Sequence, residues 1–290
     1  MIIAIVGPTG VGKTALSIAL AKHYNAEVIN FDAMQVYEKM DIGTAKVTKE
    51  EMDGVKHHLL SYVKVTDNYS VYDYQQDARR VIDKLLSEKK NIIMVGGTGL
   101  YLKATLYDYR FNKEENTTNY DDLSIEELLN RISKYNYIPK DSNNKRRLVR
   151  ELVKLENNEE IANNGDKLLY NAKIIGLTTD RETLYDRINK RVDIMVEAGL
   201  VEEVSSLKDK FTTSKALKTA IGYKEFIPYF NSECSLEEVI QKIKQNSRHY
   251  AKRQYTFFNH QLPVTWYQSN FTDFNKTVNI VIDDIDKDDR

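Results

Sequence analysis

Short apolar runs alternate with amphipathic stretches over the first hundred positions of the chain. Ile2-Ile3-Ala4-Ile5-Val6 is apolar throughout and reads as a buried strand, and Ala15 to Ala21 behind it is helix-forming. Glu27-Val28-Ile29-Asn30-Phe31 reads as a second strand, ending at Asp32. From Val71 to Glu88, the residues Val71, Tyr74, Ala78, Val81, Ile82 and Leu85 recur at helical spacing. Asn91 to Val95 is a third buried strand, stopped by Gly96-Gly97-Thr98-Gly99, and a fourth follows at Lys173 to Leu177. Strands separated by helices in this rhythm predict an α/β fold, a parallel sheet flanked by helices with its chemistry at the strands' C-terminal ends.

Between Phe111 and Lys167 the pattern changes. Asn, Lys and Glu rise, strand signals vanish, and only short helical patterns remain, at Ile125 to Ser133 and Lys145 to Leu155. This predicts a small helical insertion over 111–167, interrupting a core made of residues 1–110 and 168–290. Further on, amphipathic helical patterns run from Arg181 to Lys210, with a break near Gly199, and from Leu236 to Phe258.

The turn after the first strand carries the chemistry. Gly7-Pro8-Thr9-Gly10-Val11-Gly12-Lys13-Thr14 has the form G-x-x-x-x-G-K-[ST] and sits between a strand and a helix. Glycines let backbone N–H groups turn inward on an anion, and the helix N-terminus adds partial positive charge. Lys13 supplies a mobile full charge, and the Thr14 hydroxyl is placed to ligate Mg²⁺. The core is therefore expected to be P-loop NTPase-like, with a phosphate or diphosphate site.

Two further loops follow strands of the same sheet and converge on this one. Asp32, at the end of the second strand, is a candidate general base; alternatively it ligates Mg²⁺ through water, as in small-molecule kinases. The third strand ends in glycines and Thr98, where an ATPase usually places an acid, which weighs against ordinary phosphoryl transfer. Those glycines would let a substrate approach the backbone, or simply end the strand. His57 and His58 are adjacent and so point apart, with no Cys or carboxylate cluster beside them, which favours a structural role over metal binding.

Composition narrows the class. The chain has 290 residues, 41% hydrophobic and 29% charged, as in a soluble globular protein, with room for a large core. Cys234 is the only cysteine, which excludes an internal disulfide framework and a cysteine zinc finger and suits a cytoplasmic location. No apolar run reaches the length of a membrane span, and no room for a signal peptide precedes the first strand, so no membrane partner is expected. The net charge of −1 argues for no polyanionic partner, but the distribution is uneven. Lys242, Lys244, Arg248, Lys252 and Arg253 lie with His249 in a stretch without acids; Lys145, Arg146, Arg147 and Arg150 form a second basic cluster. Each is a solvated helix face or a nucleic-acid contact. Acids gather in the tail from Asp283 to Asp289.

Asp32-Ala33-Met34-Gln35-Val36-Tyr37, followed by Met40-Asp41-Ile42-Gly43-Thr44-Ala45-Lys46, resembles the bacterial tRNA dimethylallyltransferases, enzymes that prenylate the exocyclic N6 of adenosine 37 beside the anticodon. The resemblance covers nearly the whole chain. It takes in the P-loop, His57-His58-Leu59, Gly96 to Tyr101, Leu184 to Asp193, Gly199 to Val204, Ala220 to Glu225 and Tyr250 to Gln254. It implies that Gly7 to Thr14 hold the diphosphate of dimethylallyl diphosphate rather than ATP. Lys13 would stabilise the leaving charge, and Thr14 would bind Mg²⁺ or a phosphate oxygen. Asp32 would take the N6 proton, while Ala33, Met34 and Gln35 would line the pocket of a flipped adenosine. Thr98 would contact the tRNA or the reaction centre, and Arg187 would reach the diphosphate from a lid, with Arg191 a second candidate. Arg146, Arg147 and Arg150 would grip the anticodon stem-loop, and no DNA partner is implied. Ala33 stands where the family often has Ser, and the stretch from Arg110 to Pro139 matches poorly. Three rivals share parts of the pattern: an adenylate isopentenyltransferase acting on free nucleotide, a small-molecule or nucleoside kinase, and a noncatalytic RNA-binding P-loop protein.

Overall fold

In the computed structural model, which describes residues 1–111, 120, 122–139, 141–157 and 167–288, the apolar run near the N-terminus lies in the interior of a parallel sheet. In chain order, β1 (Ile2–Val6) leads to α1 (Lys13–His23), β2 (Ala26–Asn30), the short α2 (Lys49–Met52) and β3 (His57–His58). Next come α3 (Val71–Ser87), β4 (Asn91–Val95) and α4 (Gly99–Leu106), then α5 (Ile125–Ser133) and α6 (Lys145–Glu156). The chain continues through β5 (Ala172–Thr178), α7 (Arg181–Glu197), α8 (Leu200–Ser206), α9 (Lys215–Thr219) and α10 (Phe226–Phe230). It closes with α11 (Leu236–Gln261), β6 (Thr265–Gln268) and α12 (Phe274–Asp288).

The strand order is β3-β2-β4-β1-β5-β6, and every pair is parallel. Since β2, β4 and β1 are neighbours, the loops after Asn30, Val95 and Val6 emerge side by side at one edge. Alternation along β1 serves both faces of the sheet. Ile2, Ala4 and Val6 enter one layer with Ile29, Met94 and Leu102, while Ile3 and Ile5 enter the other with Leu16, Val28 and Val281. Fully burying each such Ile or Val stabilises by about 1.5–3 kcal/mol, so β1 is anchored from both sides.

Contacts divide the chain into two compact units, one of Met1–Tyr107 with the chain from Leu168 onward, the other of Asp108–Lys167. In the second unit Ser124 and Glu127 cap α5 reciprocally, and Leu128, Ile132, Leu148 and Leu152 from α5 and α6 form a small core with Tyr120. Part of the poorly matched 110–139 stretch lies outside the described residues.

Three elements depart from the sequence reading. His57 and His58 form a two-residue strand against Val28 and Ile29, too short to carry a periodic signal. The edge strand β6 mixes exposed and half-buried residues and shows no clean alternation. The acidic tail is the helix α12, whose Val278, Val281 and Ile285 are buried; Asp286 accepts the Tyr24 hydroxyl at 2.9 Å and Asp284 the Tyr267 hydroxyl at 2.6 Å. The break near Gly199 separates α7 from α8, with Gly199 in the left-handed region at φ 99°. Among the described residues, no helix is long and apolar enough to cross a membrane.

Candidate active site

The glycine loop is held from behind by the C-terminal segment. Gly12 takes φ 95° as the residue before α1, and a Cβ there would lie 2.6 Å from the Phe274 ring. The position is therefore closed to other residues by conformation and by packing. Ser269 is buried and donates its hydroxyl to the Val11 carbonyl at 2.8 Å. Lys13 curls back to donate from Nζ to the Pro8 carbonyl at 2.7 Å, and Thr14 is exposed in the first turn of α1. Burial and the Arg191 charge depress the Lys13 ammonium to about 7, against the opposing pull of Asp32.

Beside it, buried Asn30 shapes the loop that carries Asp32. Its Oδ1 accepts the Asp32 backbone N–H at 3.1 Å, its Nδ2 donates to the Leu59 carbonyl at 3.0 Å, and its carbonyl accepts the Tyr74 hydroxyl at 2.9 Å. Asp32 Oδ1 accepts the Met34 N–H at 3.0 Å, while Oδ2 faces Gly97, where an added Cβ would sit 3.3 Å from it. Burial raises the Asp32 carboxyl above its usual range; the Met34 hydrogen bond and the Lys13 and Arg191 charges oppose this without reversing it. A carboxylate poised in this way is suited to accept a proton.

Thr98 and Ala33 meet directly, Oγ1 accepting the Ala33 N–H at 3.0 Å. Gln35 donates its amide to the Thr44 carbonyl at 3.1 Å, tying it to the next loop. That loop is fixed by Glu203 of α8, whose carboxylate accepts the backbone N–H groups of Asp41, Ile42 and Gly43 at 3.0, 2.8 and 3.0 Å and the Tyr223 hydroxyl at 2.6 Å. The glycines after β4 pack against the protein itself: Gly96 against Phe31, Gly97 against Gln254 and Gly99 against Phe257.

Two arginines one turn apart on α7 reach the same loops. Arg187 Nε donates to the Gly10 carbonyl at 2.7 Å, and its guanidinium lies 3.8 Å above the centre of the Phe271 ring. Arg191 donates to the Ala45 carbonyl at 3.4 Å and is close enough to act on the charges of both Asp32 and Lys13.

Within the first unit, then, Gly7 to Thr14, Asp32 to Gln35, Thr98 and Arg187 gather at one sheet edge. In the second unit, Arg146, Arg147 and Arg150 are exposed along α6, and Arg147 pairs with Glu151 at 3.1 Å. The basic stretch of α11 divides. Lys244 pairs with Asp193 at 2.6 Å and Arg248 donates to Asn189 at 2.6 Å, whereas His249, Lys252 and Arg253 are exposed. His58 contacts Glu27 at 2.6 Å and His57 the Val55 carbonyl at 2.9 Å. Among the described residues no cluster of His, Cys, Asp or Glu is arranged to hold a metal. The oxygens at hand, the exposed Thr14 hydroxyl and the Asp32 carboxylate, suit Mg²⁺ held chiefly by phosphate and water.

Sequence reasoning passed over Phe271, and it gave no role to Glu203 or Gln254, although both lie in stretches that carry the family resemblance. For Gln254 a signal existed: it is a polar residue on the buried face of α11 that includes Ile243, Ala251 and Phe258. The other two act through backbone and ring contacts that only the fold brings together.

The family model described as IPP transferase matches residues 35–261. The tRNA dimethylallyltransferase of Bacillus pumilus is 43% identical over 92% of this chain and 89% of its own length, and that of Macrococcus caseolyticus is 41% identical over 99% and 97%. Among solved structures, the full-length tRNA isopentenylpyrophosphate transferase from Bacillus halodurans superposes with a TM-score of 0.78 at 40% identity, covering 99% of this chain and 95% of that one. A eukaryotic dimethylallyltransferase captured acting on tRNA gives 0.79 at 26% identity, over 100% and 80%. The P-loop, the Asp32 loop and the Thr98 loop thus stand in a chain that belongs to the IPP transferase family.

Proposed function

We propose that this chain transfers a dimethylallyl group from dimethylallyl diphosphate to the N6 amine of adenosine 37, beside the tRNA anticodon, and acts in the cytoplasm. The observation that carries the reading is the half-buried Asp32 carboxylate, with one oxygen held by Met34 and the other facing the loop of Thr98, beside the Lys13 cation. The N6–carbon bond forms as the allylic carbon–oxygen bond breaks. The diphosphate leaves with the electron pair, and the N6 proton passes to Asp32.

An aromatic amine is a weak nucleophile, so the barrier falls chiefly by neutralising the departing oxygens. Backbone N–H groups from Gly10 to Thr14, the Lys13 ammonium and Arg187 supply that charge. The Thr14 hydroxyl would hold Mg²⁺, which would supply Lewis-acid stabilisation of the leaving group. The reacting base is normally stacked, so it is extruded into the pocket bordered by Ala33, Met34 and Thr98. Exposed Arg146, Arg147 and Arg150 are suited to backbone phosphates of the anticodon stem.

The deciding experiment incubates the protein with dimethylallyl diphosphate, Mg²⁺ and unmodified tRNA, followed by nucleoside mass spectrometry. Parallel samples replace tRNA by AMP, or the donor by ATP. A prenyl mass gain on the tRNA adenosine alone is expected. A gain only on AMP identifies the free-nucleotide enzyme, and phosphate transfer from ATP identifies a kinase; either overturns the proposal.

A further inference from the structure

Gln254 is a polar side chain in the interior of the molecule, only 4% exposed. Its amide is used at both ends. Oε1 accepts the Thr9 backbone N–H of the glycine loop at 3.2 Å, and Nε2 donates to the Gly97 carbonyl of the loop after β4 at 3.0 Å. The Tyr250 hydroxyl, one turn earlier on α11, donates to the same carbonyl at 3.3 Å. The packing admits no slack at Gly97, since a Cβ there would approach Gln254 Nε2 to 2.4 Å and Asp32 Oδ2 to 3.3 Å.

We infer that Gln254 is a positioning residue which fixes the spacing between the donor loop and the acceptor loop. The two loops follow β1 and β4, whose pairing runs from Ile2–Ile92 to Ile5–Val95. Past that point the paired register ends, and the Gln254 amide links the two loops. An amide suits the task because the two loops present one donor and one acceptor; a carboxylate or an ammonium satisfies only one side. The spacing matters because attack requires the allylic carbon, held through its diphosphate, and the N6 amine, held near Asp32 and Thr98, to approach closely and in line. A displacement of about 1 Å costs on the order of 10²-fold in rate. Gln254 touches neither reacting atom, so its effect is on geometry and falls on the step with both substrates bound.

The inference rests on the donor and acceptor assignments proposed above, and its test separates the two. Gln254→Met keeps length and volume and removes both hydrogen bonds; Gln254→Glu keeps an acceptor for Thr9 and removes the donor to Gly97. For each, the measurements are the thermal midpoint, the Kd of dimethylallyl diphosphate alone and of an unmodified anticodon stem-loop alone, and the single-turnover rate with both saturating. Folded variants are expected to bind each substrate within about threefold of wild type and to lose on the order of 10²-fold in single-turnover rate. A rate within threefold of wild type in either folded variant overturns the inference, and so does a loss explained wholly by weaker binding of one substrate. If the wild-type protein itself transfers no prenyl group, it is the assigned reaction that fails.

Discussion

Thr98 Oγ1 accepts the Ala33 backbone N–H at 3.0 Å, so the loop ending one strand is pinned to the loop ending its neighbour. Thr98→Val keeps the shape but strands that N–H, a cost of about 1–3 kcal/mol where no water replaces the hydroxyl. The expected result is a raised KM for the RNA acceptor and a lowered kcat, with the KM for the prenyl donor unchanged. Thr98→Ser restores both, as steady-state kinetics on a stem-loop substrate will report.

The pH profile follows from the two charges at the site. In the proposed reaction Asp32 must be ionised to take a proton, and its carboxyl is raised above the usual range by burial. The same proposal needs Lys13 protonated to hold the leaving group, and burial with the Arg191 charge lowers its pKa to about 7. The rate constant kcat/KM for the donor, which reports free enzyme, therefore rises with pH on the acid side and falls as pH passes about 7. Lys13→Arg is expected to be slower but to lose the alkaline limb, because a guanidinium stays charged. Asp32→Asn abolishes transfer while largely sparing binding of dimethylallyl diphosphate.

Stacking of Arg187 on Phe271 orients a cation at the mouth of the glycine loop. Such an interaction contributes about 0.5–2 kcal/mol, equivalent to about 2- to 30-fold in affinity. Phe271→Leu should weaken dimethylallyl diphosphate binding within that range, with stem-loop affinity unaltered. Calorimetric titration of each ligand separately tests this.

Glu203 holds three consecutive backbone N–H groups and the Tyr223 hydroxyl. Glu203→Gln turns part of that acceptor into a donor facing donors, and hydrogen bonds to a charged group contribute about 1.5–3 kcal/mol each. The variant should lose at least that much stability in chemical denaturation. Its acceptor KM should also rise, since Gln35 leans on the same loop through Thr44.

Replacing Arg146, Arg147 and Arg150 together by Ala should leave donor binding intact. For stem-loop RNA, the slope of log K against log salt should shrink by about 0.7–0.9 for every phosphate the variant ceases to neutralise. An unchanged slope would remove α6 from the RNA-binding surface.

The positions of the three loops at the sheet edge were legible because their signals are local. A strand, a glycine loop and a helix are contiguous in sequence, and Asp32 directly follows an apolar run. What escaped was relational. Gln254 closes a stretch that carries the family resemblance, but it has no role until Thr9 and Gly97 are placed on either side of it. Phe271 has no neighbour in sequence that announces Arg187. The acidic run from Asp283 drew attention away from a helix whose buried Val278 and Val281 precede it and whose Ile285 alone sits among carboxylates. Short β3 and β6 lack the length from which a period is read.

The brace between Ser269 and Val11 joins residues 258 positions apart. A ribosome adding about 5–20 residues per second takes roughly 10–50 s to cover that distance. During this interval the glycine loop is already outside or nearing the exit tunnel, yet lacks the hydroxyl and the Phe274 ring that hold it. The shape of the glycine loop is thus timed by the far end of the chain, and a truncated polypeptide ending before Ser269 would carry the glycine motif without the contacts that hold it.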